Sequence, residues 1–411
     1  MPENAASVSP PSHVPPELVV DVDFYNLPGA EADVFGAWKA QQDYWRTLRG
    51  GNAPLVWTPR NGGHWIAARA DDLETLYADT EHLSNSSISI PSYPGPRVLP
   101  GQSDGAEHAV FRSVVMKAFN PKAIAEMRGA IRQIAKKLID EIEPRGQCDF
   151  VAEFGYRLPI ILFLSMMELP IEDGDYLLAQ AHRTIRASTE SEKHDAIVKI
   201  FSYVQRIVGD RRLHPGSDLI SRLHGTEING ARMTQEAVHG ITVNLLLGGL
   251  DTVASMLGFI MQHLAGNAGT RRRLAADRAL IDRSLDEIIR RFPIASLARV
   301  VACDFEHKGL TLKRGERLFL PTALHSFDDD RFADPMRLDL DRKRTTILSF
   351  GRGPHQCLGS YLARVELAET LGEWLARIPD FEIVPGSKVI VASGAINAIK
   401  SLRLQWVSAA A

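Results

Sequence analysis

The run VHGITVNLLLGGLDTVASMLGFIMQHLA, residues 238 to 265, restricts the possible folds more than any other stretch of the chain. As a helix rising 1.5 Å per residue it would be roughly 40 Å long, and it is apolar on nearly every side. Such a helix lies either in lipid or in the middle of a large protein. Lipid fits poorly, because Asn244, Asp251 and Thr252 interrupt the centre of the run and no basic cluster flanks it closely. Burial requires a chain long enough to wrap the helix. With 411 residues, 45% hydrophobic and 24% charged, this chain has the ordinary profile of a soluble globular protein with a sizeable core.

The formal net charge of −3 creates no global field suited to nucleic acid. Three cysteines (Cys148, Cys303, Cys357) lie far apart, with neither a CxxC pair nor a metal-type spacing. They give no disulfide framework, so a reducing cytoplasm is the expected location. The opening MPENAASVSPPSHVPP is rich in Pro and Ser and has no apolar run. Residues 1–16 are therefore expected as a mobile tail, with 17–411 folding as one unit. Helical periodicity recurs in EADVFGAWKAQQDYWRTL, EHAVFRSVVMKAFN, KAIAEMRGAIRQIAKKLIDEI and YLARVELAETLGEWLARI. Short strand-like pieces occur at LVWTP, HWIAAR, LARVVACDF and LRLQWV. The expected fold class is mainly α with small β-sheets on one side.

The stretch LSFGRGPHQCLGSYLARVELAETL, residues 348 to 371, places Cys357 between two glycine-containing turns and a helix. Gly351 and Gly353 allow positive φ and a close approach of the backbone to a flat partner. A cysteine just before a helix meets unpaired N–H groups that favour its thiolate, a form suited to a metal or an electrophile. A lone buried cysteine is usually inert packing, but here six residue types fit one short pattern.

Three further groups stand out. Glu287 and Arg290 in DEIIRR are three apart and share a helix face, a spacing that by itself reads as a surface ion pair. In GGLDTVAS, Gly248 and Thr252 share a face, with Asn244 one turn earlier. A buried Thr commonly bonds its i−4 carbonyl, whereas an Asp251 in an apolar run lacks any such structural reason. In EHAVFR, His108 and Arg112 are four apart and can reach one anion.

Together these motifs resemble the cytochrome P450 family of haem-thiolate monooxygenases, over nearly the full chain from about residue 15. FGRGPHQCLG has the form of that family's haem-binding loop. The resemblance implies the family's helical prism, with a long central helix over the haem. By the same resemblance Cys357 is the axial ligand of iron in haem b, and Phe350, Gly351 and Gly359 lie against the haem. His108, Arg112, Arg299 and His355 match the ligands of its propionates. Asp251 and Thr252 match the acid–alcohol pair that relays protons where O2 binds. Glu287 and Arg290 match the ExxR folding motif, with Arg337 matching its third member. Asn244, Leu247, Gly248, Ala295 and Ile396 match substrate contacts.

NGGHWIA, LLLGGLDTV and RIPDF are similar to the bacterial camphor-hydroxylating branch. The tyrosine that binds the camphor ketone there is replaced in register by Pro96, with Tyr93 three residues away. The expected activity is insertion of one oxygen atom into a small apolar, terpenoid or norisoprenoid-like molecule. Electrons would come from a 2Fe–2S ferredoxin fed by a ferredoxin reductase, attracted by Arg112, Lys343, Arg344, Arg352 and Arg364. A monomer is expected, acting without membrane or nucleic acid. A peroxide-using hydroxylase and a haem-based sensor remain as alternatives.

Overall fold

The computed structural model describes residues 7–51, 53–92, 95–186, 190–228, 230–343 and 346–407. The central apolar run forms two helices, Gln235–Leu250 and Thr252–Gly266, broken at Asp251. Thr234 caps the first, its hydroxyl accepting the Ala237 N–H at 3.2 Å. The two halves serve different cores. Val238, Ile241, Val243, Leu246 and Leu250 pack with Ile160, Phe163, Ile207 and Leu219. Val253, Leu257, Ile260 and Leu264 belong to a second cluster containing Trp38, Trp65, Phe150 and Trp374. Asp251 thus sits at the seam between the cores. The span Gln235–Gly266 is apolar and long enough to cross a membrane, yet 61% of its most apolar window is buried inside the protein. That is the pattern of an internal helix.

A five-stranded sheet lies to one side, in the order Leu55–Thr58, His64–Ala67, Arg317–Pro321, Ser296–Val301, Leu83–Ser84. Arg317–Pro321 runs parallel to His64–Ala67 and antiparallel to Ser296–Val301, where Leu318 faces Arg299. A hairpin of Ile390–Ala392 and Ala398–Ser401 is set near this sheet through a bridge between Ala295 and Ile396. The segment expected as a mobile tail is docked from residue 8 onward. Val8 donates its N–H to the Pro59 carbonyl at 3.1 Å, and Val14 is buried in the sheet-side core. Val14 explains this by burying its side chain, while Val8 stays exposed and is held through its backbone N–H.

The Arg278–Arg291 helix is capped by Asp277, which accepts the Ala279 and Leu280 N–H groups. It carries a fully buried Arg290. Two of its N–H groups bond Glu287, at 2.6 and 2.8 Å. The other three reach the carbonyls of Ser326, Pro335 and Arg337 at 2.8, 2.7 and 3.0 Å. The pair is therefore a core element rather than a surface ion pair. The third arginine is also different from the one expected. Arg337 contributes its carbonyl, while the guanidinium beside Glu287 belongs to Arg342, at 3.1 Å. The chain passes Glu287 at Asp339, whose N–H bonds its carboxylate at 3.0 Å, and the next turn brings Arg342 back. Ser349 then ties the approach to the cysteine turn to this helix, donating to the Ile289 carbonyl at 3.1 Å.

Candidate haem-thiolate site

Gly351 and Gly353 adopt φ of +69° and +75°, as expected from their place in the turn. At Gly353 a Cβ would meet the Ala78 Cα at 3.1 Å, so the turn lies directly on the Ala70–Ala78 helix. The Cys357 N–H bonds the Phe350 carbonyl at 2.9 Å, closing the loop ahead of the Ser360–Arg377 helix. Cys357 is accessible although protein surrounds it, which places it on an internal wall. Burial pushes its thiol pKa up, opposed by the Gly359 N–H and the guanidinium groups of Arg112 and Arg364. A thiol held this way becomes a thiolate when a metal cation binds it.

Four cationic or protonatable side chains converge on the same turn. From the Gly105–Met116 helix, Arg112 donates to the Gln356 carbonyl at 2.7 Å, and the His108 ring lies 3.9 Å from that of His355. Arg299 is only 2% exposed, and its one hydrogen bond among the described residues goes to the Ala298 carbonyl at 2.9 Å. The buried His108 Nε2 has no partner among the described residues. Burial, followed by repulsion from His108, Arg299 and Arg112, pushes His355 down to about 4. Burial and Arg112 lower His108 in the same way. Asp104 is a nearby acid, but it is engaged by Ser84 and the Asn85 N–H and lies 3.7 Å from His355. Two guanidinium groups beside two imidazoles whose protonation burial opposes, with spare donors among them, fit an anion, and two carboxylates of a planar cofactor meet that need.

Along the central helices, Gly248 is exposed although Leu246 and Leu250 beside it are buried, and Thr252 and Asp251 are partly exposed. The Thr252 hydroxyl donates to the Gly248 carbonyl at 2.8 Å across the helix break, the i−4 bond its position suggested. A Cβ on Gly248 or Gly249 would meet nothing within 4 Å, so the groove there is open. Asp251 accepts at Oδ1 from the Tyr156 hydroxyl at 2.9 Å and from Ser255 at 3.1 Å. Burial pushes its carboxyl up, against those two hydrogen bonds. Tyr156 was not legible in the sequence, since it is 95 residues away and no spacing marks it.

Of the residues expected to touch substrate, Ala295 and Ile396 are bridged to each other, and Asn244, Leu247 and Gly248 lie on the first central helix. The Asn244 amide oxygen would lie 3.2 Å from a Cβ on Gly101, so it packs against the 97–103 loop. Pro96 is exposed, and Tyr93 lies outside the described residues. Surface grooves of about 450 Å³ beside His263 and about 560 Å³ beside Glu74 have none of Cys357, Asp251 and Thr252 in their walls.

Two of the five cations expected to form the docking set are paired with acids. Arg352 pairs with Glu74 at 2.7 Å and Arg364 with Asp286 at 2.9 Å, while Arg364 also stacks on Phe350. Lys343 is exposed, and Arg344 is outside the described residues. Acids on neighbouring elements, invisible to a reading of the local sequence, account for the change.

A family model described as Cytochrome P450 matches residues 166–391, just over half the chain. The probable cytochrome P450 127A1 of Sinorhizobium fredii is 29% identical over 403 residues, 96% of either chain. The steroid C26-monooxygenase of Mycobacterium tuberculosis is 28% identical over 371 residues, covering 88% of this chain and 92% of its own. The crystal structure of CYP101J2 is 35% identical with a TM-score of 0.87, covering 97% of this chain and 100% of that one. The glycine-cradled cysteine, the cations beside it and the full-length likeness agree: the chain belongs to the cytochrome P450 family, the haem-dependent monooxygenases.

Proposed function

We propose that this cytochrome P450 inserts one oxygen atom from O2 into a small, mostly apolar molecule of terpenoid or norisoprenoid size. Its electrons come from a 2Fe–2S ferredoxin, itself reduced by a ferredoxin reductase, and it works as a cytoplasmic monomer. The observation that carries this reading is the helix break at Asp251, which leaves an acid and an alcohol side by side at an open groove.

Cys357 would hold the iron through sulfur, with Phe350, Gly351 and Gly359 against the ring and His108, Arg112, Arg299 and His355 on its propionates. Thiolate-bound haem supplies the electron push that favours O–O cleavage. The protein's own residues handle the protons. Thr252 spends its hydroxyl proton on Gly248 and so presents its oxygen to the groove as an acceptor. Asp251, whose carboxyl is pushed up by burial against the hydrogen bonds from Tyr156 and Ser255, would serve as the proton donor. A peroxide-driven hydroxylase would need neither side chain.

Leu247, Gly248, Ala295 and Ile396 would form an apolar wall for the substrate, and Asn244 would supply the polar contact. A ketone or hydroxyl on the substrate gives that amide a partner. Camphor itself should bind poorly, because Pro96 stands where its tyrosine would be.

A screen of terpenoid ketones and alcohols by haem spin-state shift tests the reading, and turnover with ferredoxin, reductase and isotopically labelled O2 completes it. One labelled oxygen atom in the product is expected. Equal product from peroxide alone, in both wild type and Thr252→Ala, would contradict it.

A further inference from the structure

The Asp251 carboxylate is held unevenly. Both hydrogen bonds it accepts, from Tyr156 at 2.9 Å and Ser255 at 3.1 Å, end on Oδ1. Among the described residues no hydrogen bond or ion pair ends on Oδ2. Ser255 is local, one turn along the same helix, and its N–H already bonds the Asp251 carbonyl at 2.9 Å. Tyr156 comes from elsewhere, and the fold goes to some length to aim it.

Residues Val151–Gly155 form a π-helical turn, and the Tyr156 N–H closes it on the Val151 carbonyl at 3.1 Å. The additional residue in such a turn rotates the side chains beyond it, a device frequent at functional sites. Gly155 brings this turn close to the second central helix, where a Cβ would lie 3.8 Å from the Ala254 carbonyl. The Tyr156 side chain is 1% exposed, so its hydroxyl is buried beside the acid.

We propose that Tyr156 is a positioning residue for proton delivery: it pins Asp251 by Oδ1, so that Oδ2 carries the proton that is handed on and replaced. This rests on the assignment of Asp251 to the relay. The proton leaves Oδ2 toward the groove, the resulting carboxylate keeps its two bonds at Oδ1, and solvent returns one proton to Oδ2. Without Tyr156 the carboxyl can rotate about its Cβ–Cγ bond, and either oxygen then meets the groove.

The test is a double-mutant cycle on the haem-loaded enzyme with Tyr156→Phe and Asp251→Asn, read by turnover, coupling and solvent deuterium isotope effect. Losing one hydrogen bond should slow Tyr156→Phe roughly two- to tenfold. The same variant should raise the isotope effect while leaving haem content and substrate affinity unchanged. In the Asp251→Asn background it should have no further effect. Full additivity of the two changes, or an unchanged isotope effect in Tyr156→Phe, would overturn the proposal while leaving the relay itself standing. An inert Asp251→Asn would instead overturn the relay assignment and this proposal with it. If Tyr156→Phe folds poorly, 3-fluorotyrosine at 156 keeps the ring and alters only the donor. An altered isotope effect is then expected, and an unaltered one counts against the proposal.

Discussion

Two buried charge clusters in this protein behave in opposite ways. Around Glu287 and Arg290 every guanidinium N–H of Arg290 has an acceptor, and the carboxylate is met by Arg290, Arg342 and a backbone N–H. Around Cys357, Arg299 makes a single hydrogen bond among the described residues, His108 Nε2 has none, and burial together with the neighbouring guanidinium groups lowers both histidines. Saturation marks a group whose task is finished when the chain folds. Spare donors in a buried place mark a group that awaits a ligand.

The largest effect should come from breaking the saturated cluster. Glu287→Gln leaves Arg290 buried without its counter-charge, costing roughly 3–5 kcal/mol, so little folded protein should survive. Denaturant unfolding checks this, and a loss under about 1 kcal/mol would place the pair outside the folding core. Next comes Asp251→Asn, which should slow turnover by roughly 10²–10⁴-fold with haem and substrate binding intact. Thr252→Ala should instead consume reductant with little product, read as released hydrogen peroxide.

Arg299→Leu is the counterpart of the Glu287 change in the unsaturated cluster. It should weaken haem retention by about 1.5–3 kcal/mol while leaving the stability of the haem-free protein unharmed. Equal damage to the haem-free fold would erase the contrast.

A single buried histidine gives a pH-dependent version of the same contrast. His64 is 1% exposed, and burial pushes it down to about 4. Its folded value lies below the unfolded one, so its contribution is present above about 6.5 and is lost as pH falls toward 4. Relative to neutral pH, that amounts to about 2 kcal/mol at pH 5. His64→Phe should flatten this part of the acid-unfolding curve, and an unchanged slope would count against it. The smallest effect is at the pocket, where Asn244→Leu should weaken a ketone-bearing ligand by about 0.5–1.5 kcal/mol.

Legibility in the sequence tracks the range of each signal. The cysteine turn was legible because glycine φ, cysteine and helix start are neighbours in the chain, and Gly351 and Gly353 adopt the conformations their type allows. The central helix was legible from its apolar length, but the break at Asp251 and the two cores that meet there depend on contacts with distant segments. Arg342 replaced Arg337 beside Glu287 because a turn beyond Asp339, not a spacing, sets which guanidinium returns. Arg352 and Arg364 looked free until the fold brought Glu74 and Asp286 to them. Charge pairing across elements is the part that local pattern cannot supply.

The assignment of Cys357 as the sulfur ligand underlies the whole contrast, because it makes the unsaturated cations a cofactor cradle. The most direct test is the reduced carbon-monoxide difference spectrum of the wild-type protein beside Cys357→His. The wild type should show the red-shifted Soret band of thiolate-ligated haem, and the variant should retain haem yet lose that band. A variant that keeps the band would show that another residue ligates the iron.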